Sequence, residues 1–157
     1  MYADVLYRRG GTYERLKNYS KADKDLLMSL NIRPDHAYTL NYLSYSWLER
    51  NIKIEQAMKM LMRAYELQEN DPYITDSVGW GYYLIGDFIN AEKYLRKAVE
   101  LMPDDPIVND HYGDVLWQLD RKLQAKYFWG HVLELEDTKE EMKKDIENKL
   151  IDGPRKI

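Results

Sequence analysis

The chain is 157 residues long, 45% apolar and 32% charged, and its 23 Lys and Arg against 27 Asp and Glu leave a net charge of −4. No apolar run approaches the ~18 residues of a membrane helix, and the basic residues lie scattered among acids instead of clustering as phosphate binding requires, so neither membrane insertion nor nucleic acid is expected. The lack of cysteine removes disulfides and thiolate chemistry, while 14 Tyr and 4 Trp against 2 Phe point to rings whose polar tips stay wet, as on a binding surface.

From the N-terminus, Gly10, Tyr13, Ala22, Leu26, Ser29 and Pro34 set a spacing that returns three times. In the second copy Ala57, Leu61, Ala64 and Leu67 precede Ala91, Leu95, Ala98 and Leu101 by 34 residues, whereas Ser44 precedes Gly79 by one residue more. The extra residue belongs to the turn around Asn51. The third copy passes into the fourth at the same period: Pro72 to Pro106, Asp76 to Asp110, Gly79 to Gly113, Ala91 to Ala125 and Leu101 to Leu135, with Tyr94 answered by Phe128. A fixed period of this size is the mark of stacked repeats, expected at about 3–36, 37–71, 72–105 and 106–139.

Each copy predicts two helices. Thr75, Val78, Gly79 and Tyr82 share one face of the first, and Ala91, Leu95 and Ala98 one face of the second. A glycine inside a helix costs about 1 kcal/mol relative to alanine, so Gly79 and Gly113 imply a second backbone too close for a side chain. Gly86-Asp87 turns the chain between the two helices, and Asp71-Pro72 and Asp105-Pro106 separate one unit from the next. Beyond the repeats a capping helix is expected over 138–152, opened by a capping box of Thr138 with Glu141, striped by Met142, Ile146 and Leu150, and closed by Gly153-Pro154 ahead of the tail 153–157. The chain starts inside its first helix without a signal segment. The expectation is therefore a piece of a longer protein whose N-terminal face meets another repeat, or forms a homodimer in isolation.

Gly-x-x-Tyr followed by Ala-x-x-x-Leu, a small residue and Pro, at this spacing, resembles the tetratricopeptide repeat; residues 72–105 are the best copy and the resemblance covers about 3–139. It implies an all-α fold, a right-handed superhelix of antiparallel helix hairpins (an α-α solenoid) with about four repeats and the C-terminal cap. Ser44 departs from a usual glycine, Arg9 and Tyr112 from usual aliphatic residues, and Asp137 from proline, which predicts local repacking. The stretches YLSYSWLERN, TDSVGWGYYL and VNDHYGDVLW are similar to the C-terminal repeats of longer bacterial envelope proteins. That likeness implies a parent in the periplasm or at the outer membrane, with the cytoplasm as the alternative.

A metal site would need Asp110, His111 and Asp114 together, but His111 points about 100° away from the two acids and no second histidine supports it. The Gly79-Trp80-Gly81 run lies within a helix and cannot cradle phosphate, and no serine nucleophile motif occurs. No enzyme, metal or cofactor is expected. The resemblance places the first helix of each repeat on the concave side, where the second copy offers Tyr38, Asn41, Tyr42 and Tyr45. The third offers Tyr73, Asp76, Trp80 and Tyr83, and the fourth Asp110, His111, Asp114 and Trp117. Tyr7, Arg8 and Glu14 extend this wall in the first copy.

Such a surface predicts an adaptor or scaffold binding an extended or helical protein segment, with Asn41 pairing the peptide backbone. Asp76, Asp110 and Asp114 would favour basic residues on the partner, aided by Trp80 or Trp117. The absence of basic residues at the wall positions of the last three copies argues against a clamp for a C-terminal carboxylate. The alternative is a structural spacer or self-association module of a larger envelope protein.

Overall fold

The computed structural model of the protein describes residues 2–156, in which nine helices and no strand are found. In chain order they are α1 (Tyr2–Arg15), α2 (Tyr19–Ile32), α3 (Ala37–Glu49), α4 (Ile54–Leu67), α5 (Pro72–Leu84), α6 (Phe88–Leu101), α7 (Pro106–Gln118), α8 (Lys122–Glu134) and α9 (Glu140–Asp152). The chain forms two compact units that divide between Ser77 and Val78, within α5.

In the first unit α1 pairs with α2 and α3 with α4. Their small residues set the approach: a Cβ on Gly10 would lie 2.8 Å from Leu26 Cγ, so α1 can meet α2 only where its side chain is missing. Leu6, Leu26, Leu43, Trp47, Leu61 and Ile74 are fully buried. The loop between α3 and α4 has four residues, 50–53, where the other hairpin loops have three. Asn51 takes the positive φ that Lys17, Gly86 and Asp120 take in the other loops, and Lys53 takes a second one where the extra residue enters. Both departures from the repeat pattern are locally compensated. The Ser44 hydroxyl is buried but donates to the carbonyls of Leu40 and Asn41. Arg9 forks onto the buried Asp25 carboxylate at 2.6 and 2.9 Å, replacing apolar contact by a paired charge.

The second unit repeats this construction with larger side chains. A Cβ on Gly79 would lie 2.6 Å from Leu95 Cγ and 3.0 Å from the Leu95 backbone nitrogen, and one on Gly113 would meet the Trp129 ring at 2.5 Å. Gly86, at φ 84°, reverses the chain, and Asp87 caps α6 by accepting the Asn90 N–H at 3.2 Å. Asp105 caps α7 through the Val108 N–H at 3.0 Å. Tyr112 is accommodated by donating its hydroxyl to Glu92 at 3.2 Å and setting its ring edge-to-face with Phe128. Helix α9 packs on α8, with Ile146 fully buried and Met142 and Leu150 partly so.

The start of α9 differs from the expected capping box. Helix α9 begins at Glu140 behind Lys139, which makes no side-chain cap. Thr138 is buried and donates its hydroxyl to the Val132 carbonyl at 2.7 Å. The Val132 carbonyl also accepts the Leu135 N–H at 3.3 Å, and giving the buried Thr138 hydroxyl an acceptor there outweighs capping an exposed helix start.

Two glycines with opposite surroundings test the close approach. Gly79→Ala should cost about 1–3 kcal/mol through overpacking against Leu95, although alanine is the better helix former. Gly130, inside α8 with open space for 4 Å around the point where a methyl would sit, should gain up to about 1 kcal/mol as Gly130→Ala. Urea midpoints of the two variants read both signs in one protein.

Candidate functional site

The first unit presents a connected run of rings on α1 and α3 and at the start of α3. Tyr7 stands edge-to-face with His36 and Tyr42, at centroid distances of 5.6 and 6.0 Å, and His36 in turn with Tyr38 at 6.2 Å. The Tyr42 hydroxyl reaches back to α1, donating to the Gly11 carbonyl at 3.2 Å and to Glu14 at 3.3 Å. Tyr38 donates to Asp71 at 2.7 Å yet remains 44% exposed, and Tyr73 on α5 is 55% exposed. Burial raises the Tyr7 and Tyr42 hydroxyl pKa values and, with help from Arg33, lowers that of His36. Asn41, among these rings on α3, has a buried side-chain oxygen without a hydrogen-bond partner.

Two residues assigned to this wall from sequence turn inward. Asp76 is buried. The Tyr45 hydroxyl is pushed well above its usual range, chiefly by burial and further by the Glu49 and Asp76 carboxylates. His36, which the sequence reading did not use, joins the ring run from the residue before α3. Its position immediately before the aromatic face of α3 was the available signal.

In the second unit the acids of α7 are already engaged. Lys149 of α9 sets its ammonium 2.7 Å from Asp110 and 3.0 and 3.1 Å from the two oxygens of Asp114. Asp145 stands 3.7 Å away on the other side. Asp114 also accepts the Trp129 indole N–H at 3.2 Å. Burial, then the Asp110 charge, pushes the Asp114 carboxyl up to about 7 against the pull of Lys149. Burial disfavours the charge on Lys149, but Asp114 and Asp110 together outweigh it and hold the ammonium above the ordinary lysine value.

These contacts modify the sequence reading of Asp110 and Asp114 as groove acids: both line the cleft beside α9, but the capping helix covers them and its single ammonium offsets part of their charge. Tyr83 is likewise buried, accepting the Gln118 amide at 3.2 Å, with its hydroxyl pushed up to about 12 mainly by burial. Trp80 is half-buried, stacked on His111 at 3.9 Å and on Tyr83 at 4.6 Å. Trp117 carries the Lys122 ammonium 4.9 Å above its ring, and Gly153, at φ 79°, passes so close that a Cβ there would fall 2.5 Å from that ring.

Lys149 and Trp129 are the residues that sequence reasoning did not use. Lys149 falls seven residues after Met142, on the apolar stripe of α9, and a lysine at such a position signals a buried partner. What stays open beside this cluster is a cleft of about 720 Å³ between α9 and the wall, floored by Trp80, Leu84 and Met142 and edged by Lys144, Asn148 and Arg155.

Residues 3–36 and 79–105 match the family model described as Tetratricopeptide repeat, so these two segments are tetratricopeptide repeats, and the chain as a whole is an all-α array of helix hairpins. A Pseudomonas aeruginosa protein, TPR repeat-containing protein PA4667, is 33% identical over 91 residues, which is 58% of this chain and 15% of that protein. The chain thus spans a small part of that relative. Among solved structures, the thermophilic TPR protein TTC0263 of Thermus thermophilus superposes with a TM-score of 0.81 at 20% identity, over 95% of this chain and 81% of its own. The first TPR of Spaghetti (RPAP3), solved bound to HSP90 peptide SRMEEVD, superposes at 0.62 and 20% identity over 71% of this chain and 88% of its own. At these identities the likeness establishes the fold.

Removing the ammonium should expose the charge cluster. Lys149→Met leaves the buried Asp114 and the partly buried Asp110 without their counter-charge and should cost about 3–5 kcal/mol at neutral pH. Folded Asp114 holds its proton more tightly than the unfolded chain, so its contribution is fully present at acid pH and is lost as pH rises from its ordinary 3.8 toward about 7. The Lys149→Met penalty should therefore shrink as pH falls through about 7, where folded Asp114 takes up its proton, and be small by about pH 5. Asp114→Asn should flatten that part of the stability profile. Denaturant titrations across this pH range check both variants.

Proposed function

We propose that this chain is a non-catalytic protein-interaction module that holds a segment of a partner protein against the aromatic run of α1 and α3. The observation that carries this reading is the Tyr7–His36–Tyr38 ladder, continued by Tyr42, whose rings are fixed by mutual contact while Tyr38 keeps much of its surface open. Rigid aromatic side chains supply contact area at low entropic cost. The Asn41 oxygen is buried without a partner, so it would accept a peptide N–H only after its side chain turns outward, and it would then regain a hydrogen bond that it forgoes when free. The peptide held by the Spaghetti (RPAP3) domain supports the same use of the fold.

The expected preference for a basic partner gives way in the second unit, because Lys149 already supplies the ammonium. In the first unit Glu14 and Asp71 each accept a tyrosine hydroxyl, which leaves a basic side chain of the partner as a secondary contact. No helix among the described residues is long and apolar enough to cross a membrane.

Peptides enriched from a random displayed library on the wild-type protein should bind at least about tenfold more weakly to a Tyr38→Ala, Asn41→Ala variant. The variant should stay folded with only a modest fall in melting temperature, since Tyr38 is partly exposed and gives up its hydrogen bond to Asp71 and its edge contact with His36. Unchanged affinity would remove this wall from the binding reading.

One observation favours a second reading, the self-association module. Tyr2 and Val5 fall on one face of α1 and Leu16 directly follows the helix, all three exposed. If this face pairs copies of the chain, sedimentation should show a concentration-dependent dimer that Val5→Glu with Leu16→Glu abolishes. A monomer at all concentrations would eliminate it.

A further inference from the structure

We propose that the cleft between α9 and the α5–α7 wall of the second unit is a separate docking site, and that it takes an acidic protein segment anchored by one aromatic or aliphatic side chain. The proposal extends the peptide-recognition reading to a second site and names the chemistry of what that site selects.

The first support is the loss of negative charge from the wall. Asp110 and Asp114 would repel an acidic segment if they were open, but both sit under Lys149, with side-chain exposures of 14% and 4%. Lys149 offsets part of their charge and covers them, so the exposed rim that a ligand meets is set by α9 and the chain that follows it.

The second support is the unbalanced rim. Lys139, Lys144, Arg155 and Lys156 edge the cleft, facing Glu141 and Asp145. Arg155 reaches Asp145 only at 3.9 Å, and that carboxylate is already shared with Lys149 at 3.7 Å. Lys139, Lys144 and Lys156 enter none of the ion pairs found among the described residues. Five cations line the cleft against four acids, but Asp110, Asp114 and Lys149 lie at its covered end, so the exposed rim, with four of the cations and two of the acids, is locally positive in a chain whose net charge is −4. A concave site concentrates such a field and selects ligands of the opposite sign.

The floor supplies the anchor. Trp80 is held between His111 and Tyr83 by stacking, so its ring keeps one orientation while part of its surface stays open to the cleft beside Leu84 and Met142. A cleft of about 720 Å³ is large enough for several side chains. Lys144 and Asn148 lie one turn apart on α9 and face it together, which places a cation and an amide where a peptide bearing acids on one side would pass.

The test uses a blocked peptide of glutamates around a single phenylalanine, with its lysine counterpart as control, titrated into the whole chain by calorimetry. Blocked ends remove any contribution from a terminal carboxylate. The glutamate peptide should bind, its affinity should fall as salt rises, and Lys139→Glu with Lys144→Glu and Lys156→Glu should weaken it at least about tenfold while the melting curve is unchanged. On the wild type, the amide resonances of Trp80 and Asn148 should shift on addition of the peptide. Equal affinity for the lysine peptide, no effect of the triple variant, or resonance shifts confined to α1 and α3 would each overturn the proposal. The Tyr38→Ala, Asn41→Ala variant should bind the glutamate peptide as the wild type does. Failure of the glutamate peptide to bind, alongside library peptides that still need Tyr38, would remove the cleft and leave the first reading intact.

Discussion

Helix backbones in this chain approach one another at points where a side chain would not fit, and the remaining packing follows from that constraint. Gly10 against Leu26, Gly79 against Leu95 and Gly113 against Trp129 are three versions of one contact, in which the first helix of a hairpin gives up its Cβ so that the second can insert a large apolar side chain. Interiors pack densely enough that such a point fixes the registry of both helices. Once the registry is fixed, Ala22, Ala57, Ala64, Ala91, Ala98 and Ala125 are all fully buried, because each lies on the same face as the close approach. The large partner can vary: Trp129 fills the place of Leu95 and adds an indole N–H that then needs an acceptor.

That acceptor is Asp114, which links the hairpin core to the charge cluster. A carboxylate buried beside an indole is costly without a counter-charge, and Asp110 one turn earlier adds repulsion. Lys149 resolves both problems from a helix outside the hairpin. Removing water from the pair carries a large desolvation cost, so the cluster is better understood as a device that seats α9 in one place than as a source of net stability. Ile146 under α9 supplies the apolar burial, and Lys149 supplies the geometry.

How much of this could be read from the sequence depends on the range over which each signal acts. Helical periodicity and the recurring Gly and Ala positions are local, and they locate the hairpins, the extra residue between α3 and α4 and the turn at Gly86. Thr138 escapes such a reading because a capping box and a buried hydroxyl bonded to the preceding helix have the same local pattern. Asp110 and Asp114 fall on the correct helix face but gain the wrong neighbour, since the residue that meets them lies 35 positions after Asp114. Periodicity tells which face a residue occupies and carries no information about what covers that face.

The cap has a consequence for recognition beyond solubility. Repeat arrays need a polar outer face at their ends, and a helix such as α9 meets that need with alternating Lys and Glu. Here it also turns its one buried cation toward the wall and leaves Lys144 and Asn148 at the cleft. The wall that sequence alone presents as acidic is thereby exchanged for a cleft whose rim is cationic, with no change in any wall residue. Charge selectivity at this end of the chain is consequently a property of α9 and the few residues after it. A change in sign at Lys144 or Arg155 alters what the cleft attracts while the hairpins, held by the glycine contacts, keep their packing.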